Sequence, residues 1–426
     1  MSCVFVNLGQ CGNQLGQVFW REVDQWHKRS QLGAAKDAKT RFPYSTLDGS
    51  LPCVLVDTER KVVTRCITSE PLKRRVTSDC VFTECRGRGN NWAYGYSQDV
   101  AFCFSDRRIP SVESIAEQVR RMAERIDYYN GTVLLHSTAG GTGSGLGSAL
   151  LEHLRDEYPA HLLLSIAVAP FASGETPLQH YNSLLCLSWL QQYADAVLFF
   201  QNDLILKHIS KSAAKAGDPL GTSVSVSMED LNGYIGHTLC NLFLPLWSSE
   251  RKRNAFFSEP WELVQSLCPN PALKYITPMH AESSSCTWEQ LFTKAGHQNT
   301  AATSRHTMSL AVVARGNEVS IKQFSDSTNS AEKRLKQMYR TVEWNPFPVD
   351  FRLSHEPHLG AQKMLTVLAN SAHIVEHMES VLQRAGEMYR EGAYLHWYER
   401  YGCGKETFEE AFETMREVVS EYSRLQ

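Results

Sequence analysis

No run of apolar residues in this 426-residue chain reaches the roughly 18 needed to span a bilayer, so membrane insertion is not expected. Basic charge is not in excess: 43 Lys+Arg stand against 46 Asp+Glu, a net charge of −3. A nucleic-acid partner is therefore not expected, because neutralising phosphates calls for surplus Lys and Arg. None of the twelve cysteines forms a C-x-x-C pair, and no Cys/His cluster has zinc spacing. They are scattered through apolar stretches, as at Cys3, Cys53, Cys103 and Cys186, which reads as buried free thiols rather than a disulfide framework. The opening Met1-Ser2-Cys3-Val4 lacks the basic-then-apolar pattern of a signal peptide, and the expected compartment is the cytoplasm. There is no internal repeat, low-complexity tract or Pro/Gly-rich linker, so the domains should pack closely. What is present is ordinary: 42% hydrophobic and 21% charged residues, enough for two or three domains at roughly 100–200 residues each.

The first half alternates short apolar runs with helical spacing. Strands are expected at Cys3–Leu8, Cys53–Val56, Thr132–His136, His161–Ala169 and Ala196–Phe200. Helices are expected at Gln10–Lys28, along Val112, Ile115, Val119, Met122 and Ile126, and at Leu178–Tyr193. Such alternation predicts a parallel sheet covered on both faces, with ligands at the carboxyl ends of its strands. A long helix from about Met228 to Leu244 follows, then a polar loop at Ser248–Asn254. A second α/β block runs from Leu273 to about Asn370, with strands near Met308–Arg315, Val349–Leu353 and Lys363–Leu368, and the remainder is helical.

The strongest chemical signal is Thr138-Ala139-Gly140-Gly141-Thr142-Gly143-Ser144-Gly145-Leu146-Gly147, between a strand and a helix. Clustered glycines let backbone N–H groups approach a polyphosphate, and a helix N-terminus favours the negative charge. The loop is not a Walker A motif, since no Gly-Lys-Ser/Thr follows, and it misses G-x-G-x-x-G spacing. A second loop, Leu8-Gly9-Gln10-Cys11-Gly12-Asn13-Gln14, reads equally as a capped turn when taken alone, and a third, Gly87-Arg88-Gly89-Asn90-Asn91-Trp92, reads sooner as a plain turn than as a loop closing over a terminal phosphate. Asp57 and Glu59 directly follow a buried strand, where Mg²⁺ beside a triphosphate would take one or two carboxylates; a solvated strand end is the other reading.

In this order these motifs resemble the nucleotide loops of the tubulin superfamily. The resemblance extends to Asp230-Leu231-Asn232, Leu395-His396-Trp397-Tyr398 and Val419-Ser420-Glu421-Tyr422, and so to nearly the whole chain. It implies an α/β, tubulin-like fold: a parallel-sheet GTPase domain (1–226), a central helix (227–246), a smaller α/β intermediate domain (247–370) and a C-terminal helical hairpin (371–426). It implies GTP or GDP with Mg²⁺ as cofactors. Gln10, Cys11, Ser137, Gly140, Gly141, Thr142 and Gly143 would hold phosphates, and Asn91 would close over the terminal one. Glu59, aided by Asp57, would sit by the metal. Asn202 and Asn232 would bond the guanine edge, with Met228 packed on the ring where the family usually has Tyr. Hydrolysis in this family is completed between subunits. Counting back from Leu267-Cys268-Pro269 puts Glu262 in the role of the acidic residue donated to a neighbour, with Glu259 one turn earlier. A surface carboxylate is the alternative there, because Phe256-Phe257-Ser258 does not match the family's loop.

Other departures stand out. Gln179 occupies the position of an acidic ribose contact, with Glu175 a possible substitute, and Ala139 replaces the first glycine of the phosphate loop. Met279–Gln298, the lateral-contact region, is short, and the tail Glu417–Gln426 carries charges of both signs rather than the acidic run of alpha- and beta-tubulins. The Asn90–Ser97 and Ala139–Gly147 segments look most like the minor delta and zeta classes, and the looser similarity to delta elsewhere puts zeta first and delta second. Partners implied are other tubulin-family subunits or the chain itself, and proteins of centrioles, basal bodies and cilia. Two further readings stay open: a nucleotide-stabilised adaptor that neither polymerises nor hydrolyses GTP, and a dinucleotide-dependent oxidoreductase. The latter calls for an acidic residue where the strand instead ends at Val168-Ala169-Pro170-Phe171.

Overall fold

The computed structural model describes residues 3–33, 44–84, 86–97, 111–174, 176–215, 226–245, 260–296, 305–356 and 361–425. Glu259, Glu175, the Phe256-Phe257-Ser258 segment, the Ser248–Asn254 loop and positions 297–298 of the lateral-contact region lie outside the described residues.

Ten strands form one sheet in the order β3-β2-β1-β4-β5-β6-β7-β10-β8-β9. They are β1 Cys3–Leu8, β2 Cys53–Asp57, β3 Val81–Thr83, β4 Gly131–Ser137, β5 Leu162–Ala169, β6 Ala196–Gln201, β7 Tyr275–Ser283, β8 Thr307–Gly316, β9 Val349–Ser354 and β10 Lys363–Ser371. The first six in chain order are all parallel. β7 joins β6 in parallel through Val197↔Tyr275 and Leu198↔Ile276, so the sheet of the second block continues that of the first. Beyond it β10 runs antiparallel to β7 and β8, and β9 is parallel to β8.

Every residue of β1 is buried, as a central parallel strand requires. Val4, Val6 and Leu8 enter one core, Cys3 and Phe5 the other, following the two-residue period of a strand. The first core lies under helices Val112–Ala123, Gly147–Glu157 and Gln179–Tyr193, and also under the C-terminal helices Val375–Arg390 and Lys405–Ser423. The second lies under Gly9–Gly33 and the central helix Met228–Phe243. A third core joins β8 and β10 to helices Trp288–Ala295 and Glu318–Asp326.

The central helix starts where it does because Ser227 and Asp230 form a reciprocal capping box: Ser227 Oγ accepts from Asp230 N–H, and the Asp230 carboxylate accepts from Ser227 N–H. Its other end is held by Arg315 of β8, which is fully buried. That guanidinium donates to Asn241 O at 3.1 Å, Pro245 O at 2.8 Å and Leu244 O, meeting carbonyls that a helix end leaves unpaired. Tyr422 anchors the last helix: its hydroxyl accepts from Tyr275 N–H at 2.9 Å and donates to Asn370 Oδ1 at 2.8 Å.

Candidate functional site

The carboxyl ends of β1, β2, β4, β5 and β6 open into a cleft of about 330 Å³. Leu8, Asp57, Ser137, Val168 and Ala169, and Asn202 stand there at the five strand ends. Two helical segments begin in its wall. Gly9 takes φ +69°, which a glycine tolerates, and turns β1 straight into the Gly9–Gly33 helix. Gly141–Leu146 is a wide, π-type helical turn that runs directly into Gly147–Glu157. The opening residues of both segments, Gly9-Gln10-Cys11 and Gly141-Thr142-Gly143, line the cleft. Their first N–H groups have no partner within the helix, and the two dipoles make the cleft attractive to anions.

The glycines of the loop also serve packing. A Cβ on Gly145 would lie 2.1 Å from Trp92 O, and one on Gly95 the same distance from Gly141 O. The short helix Trp92–Tyr96 therefore lies directly against the glycine turn. Asn13 ties the Leu8–Gln14 loop to the end of β2, donating to Gly9 O at 2.8 Å and Val56 O at 2.9 Å. Thr58, just past β2, and Thr142 of the glycine-rich loop share a hydroxyl hydrogen bond of 2.6 Å.

The structure brings Gln10, Cys11, Ser137, Gly140, Gly141, Thr142, Gly143, Asn202, Met228, Asn232, Asp57 and Glu59 to this one cleft. Asn91 is not among the residues that line the cleft. Its carboxamide is buried and turned away: Oδ1 accepts from Tyr94 N–H at 3.2 Å, capping the Trp92–Tyr96 helix, and Nδ2 donates to Trp397 O at 3.1 Å. Asn90, its neighbour, lines the cleft instead, at φ +50° in the left-handed region that Asn tolerates. Sequence reading named Asn91 and not Asn90, because the backbone reversal is invisible in residue type. It also passed over Gln14, one helical turn from Gln10, whose Oε1 accepts from Asn232 Nδ2 at 3.5 Å. Gln179 does line the cleft, and its amide donates to Phe171 O at 3.2 Å.

Glu262 is elsewhere. It sits on the helix Pro260–Leu267, and its carboxylate meets Arg352 of β9 at 3.1 Å. Arg352 also pairs with Asp350 at 3.0 Å.

Asp57 has the most perturbed charge in the cleft. It is only 3% exposed; Oδ1 accepts from Glu59 N–H at 3.2 Å, while buried Oδ2 has no hydrogen-bond partner among the described residues. Burial pushes its pKa up to about 6, with the Glu59 charge adding to the rise and backbone N–H groups opposing it. A hard divalent cation would satisfy such an orphaned oxygen. Asp57 and the exposed Glu59 fit Mg²⁺ of the phosphate-bound kind, which takes one or two carboxylates and keeps waters and phosphate oxygens. No group of three or more His, Cys, Asp or Glu among the described residues could cage a metal without a ligand's help. When bound, the cation would neutralise phosphate charge.

Residues 2–210 match the profile of the Tubulin/FtsZ family, GTPase domain. The tubulin epsilon chain of Mus musculus is 31% identical over 468 aligned positions, covering 99% of this chain and 95% of its own length. The chain belongs to the tubulin family. This tubulin is also 28% identical to the tubulin delta chain of Homo sapiens, over the full length of both, and 29% identical to the tubulin beta-2 chain of Suillus bovinus. Delta and epsilon chains, minor classes of the family, thus stand among its relatives, whereas the zeta class rests on the sequence motifs alone. The tubulin-like fold expected from the sequence is the one observed. No helix among the described residues is long and apolar enough to cross a membrane.

Proposed function

We propose that this tubulin binds GTP with Mg²⁺ in the cleft and contacts other tubulin-like subunits as a cytoskeletal component of centrioles, basal bodies and cilia. The observation that carries the nucleotide is the convergence of two helix starts, one of them the glycine turn, on a buried carboxylate with a vacant lone pair. The phosphates lie along Gly9–Cys11 and Gly140–Gly143, and the metal beside Asp57 and Glu59. Asn202 and Asn232 face the guanine edge, since an amide both donates and accepts. Met228, 50% exposed, is available to pack on the ring. The delta and epsilon names of the relatives support the centriolar address. Released nucleotide, identified from the purified protein, tests the reading: guanosine phosphates support it, and adenine or nicotinamide species overturn it.

Subunit contact is supported by exposed aromatics at the far end of the sheet. Trp261 precedes Glu262, and Trp344 and Phe347 lead into β9, which carries Arg352; Phe347 is 85% exposed. Large exposed apolar side chains such as these are candidates for contact with a partner. In this reading Glu262 is presented to a neighbour's nucleotide, where it would orient or deprotonate the attacking water. The non-hydrolysing adaptor is favoured by one observation: the Glu262 carboxylate is already engaged within its own chain, by Arg352 at 3.1 Å. Phosphate release measured at assembling concentrations separates the two.

A further inference from the structure

Behind the cleft, on the helix Gln179–Tyr193, Asn182 is fully buried. Its Nδ2 donates to Asn90 O and to Ala139 O, both at 2.7 Å. Its Oδ1 accepts from Trp92 N–H at 2.9 Å and from the Tyr398 hydroxyl at 2.7 Å. A primary amide has two N–H donors and two lone pairs, so its capacity is used completely. Asn90 and Ala139 sit on different loops, and both line the cleft. One carboxamide therefore sets the spacing of the two loops that flank the phosphate side.

The same amide leads outward. Tyr398 belongs to the short helix Leu395–Glu399, between the two C-terminal helices, and is itself fully buried. Its segment is gripped at three further points by residues close to the cleft. Asn91 donates to Trp397 O at 3.1 Å, Tyr181 donates to Ala393 O at 3.1 Å, and the Tyr94 ring stacks on Tyr401 at 4.5 Å. On the outside, Tyr394 and Trp397 are 42% and 43% exposed.

We propose that Asn182 is a positioning residue of the nucleotide cleft, and that through Tyr398 it couples the order of the 393–401 segment to cleft occupancy. The proposal rests on the GTP-binding reading above and adds to it a surface element that senses the nucleotide. A ligand that draws the Asn90 and Ala139 loops together acts on both donors of one amide. That amide has no spare bond, so its acceptor side, held by Tyr398, is strained or relieved with them. Coupling of this kind is reciprocal: what tightens 393–401 also tightens nucleotide binding.

The test uses the full-length chain with a fluorescent GTP analogue and Mg²⁺, and hydrogen exchange of the 393–401 amides with and without GTP. Tyr398→Phe removes one hydroxyl and keeps the ring in its core. In the parent chain, GTP is expected to slow exchange across 393–401. In Tyr398→Phe, affinity is expected to fall about fivefold, the worth of one hydrogen bond, and most of that slowing to vanish. The nucleotide-free melting temperature should move by less than the nucleotide-bound one, a split that a purely structural role does not produce. Asn182→Ala is expected to lose more affinity; if it does not fold, Tyr398→Phe decides alone. Equal affinity and an unchanged exchange pattern in Tyr398→Phe would overturn the coupling while leaving GTP binding intact. No GTP binding by the parent chain would overturn both.

Discussion

Asp57 shows at the scale of one residue how the cleft anticipates its ligand. A carboxyl with a pKa of about 6 in the folded chain, against roughly 3.9 when unfolded, favours folding below pH 4. That contribution is lost as pH rises through 6 and is worth about 3 kcal/mol. Asp57→Asn should accordingly raise the stability of the nucleotide-free protein at pH 7.5, by about 1–3 kcal/mol in urea titrations, and weaken Mg²⁺-dependent GTP binding. A variant that is less stable and binds Mg²⁺·GTP normally would contradict the placement of the metal. Gly145→Ala probes the second feature: its methyl group meets Trp92 O at 2.1 Å, so the Trp92–Tyr96 helix must shift. A loss of about 1–3 kcal/mol is expected, together with a measurable drop in nucleotide affinity. Residue types revealed the glycines and the carboxylates, because their chemistry is local. Asn182 was not legible, since its partners lie 43, 90, 92 and 216 residues away and no spacing announces them.

Among elements, the loop that carries Asn90 depends on a buried ion pair. Arg88 meets Glu84 at 3.1 Å with both side chains almost fully enclosed, and its guanidinium lies 4.9 Å from the Tyr94 ring centre. Arg88→Ala strands the Glu84 charge and should cost about 3–5 kcal/mol, most of it recovered when Glu84→Gln is added. A melting curve for each variant checks this, and a cost below 1 kcal/mol would show that water reaches the pair. The aromatic end of the sheet makes a separate case. Phe347→Asp combined with Trp344→Asp should abolish sedimentable assembly and leave GTP affinity unchanged, because these side chains are remote from the cleft-lining residues. Strands β1, β2, β4, β5 and β6 were readable as apolar runs bounded by turns. β3 has only three residues and too little pattern to read, and β7 was obscured by Pro278 and His280 within its run. The helix Asn202–Lys215 was missed because its first residue was read as a guanine contact rather than as a helix start.

Taken whole, the molecule shares its cores across the boundaries that the sequence suggested. The β6–β7 junction carries one sheet through both α/β blocks, and the C-terminal helices complete the first core. Sequence periodicity identifies faces but not which element covers them, so this sharing emerged only in three dimensions. One pH consequence follows. His136, buried on β4 beside the glycine loop and bonded to Ser165 Oγ at 2.8 Å, has its pKa lowered to about 4 by burial. Its unfolded form takes up a proton from about pH 6.5 downward, so stability is full above that value and falls by about 3 kcal/mol towards pH 4. His208 and His377 are shifted the same way, also chiefly by burial. Protonation of Asp57 opposes the loss in the free protein but not once Mg²⁺ holds that carboxylate. Melting temperature should therefore fall more steeply between pH 6.5 and 4.5 with Mg²⁺·GTP than without; parallel curves would contradict the assignment.

The most direct measurement is equilibrium titration of the purified, nucleotide-stripped chain with a fluorescent GTP analogue, with and without Mg²⁺. Saturable one-to-one binding, weakened by EDTA and competed by GTP but not by ATP or NAD, is the expected result. Absence of saturable binding, or equal competition by ATP, would contradict a guanine-nucleotide site in this cleft.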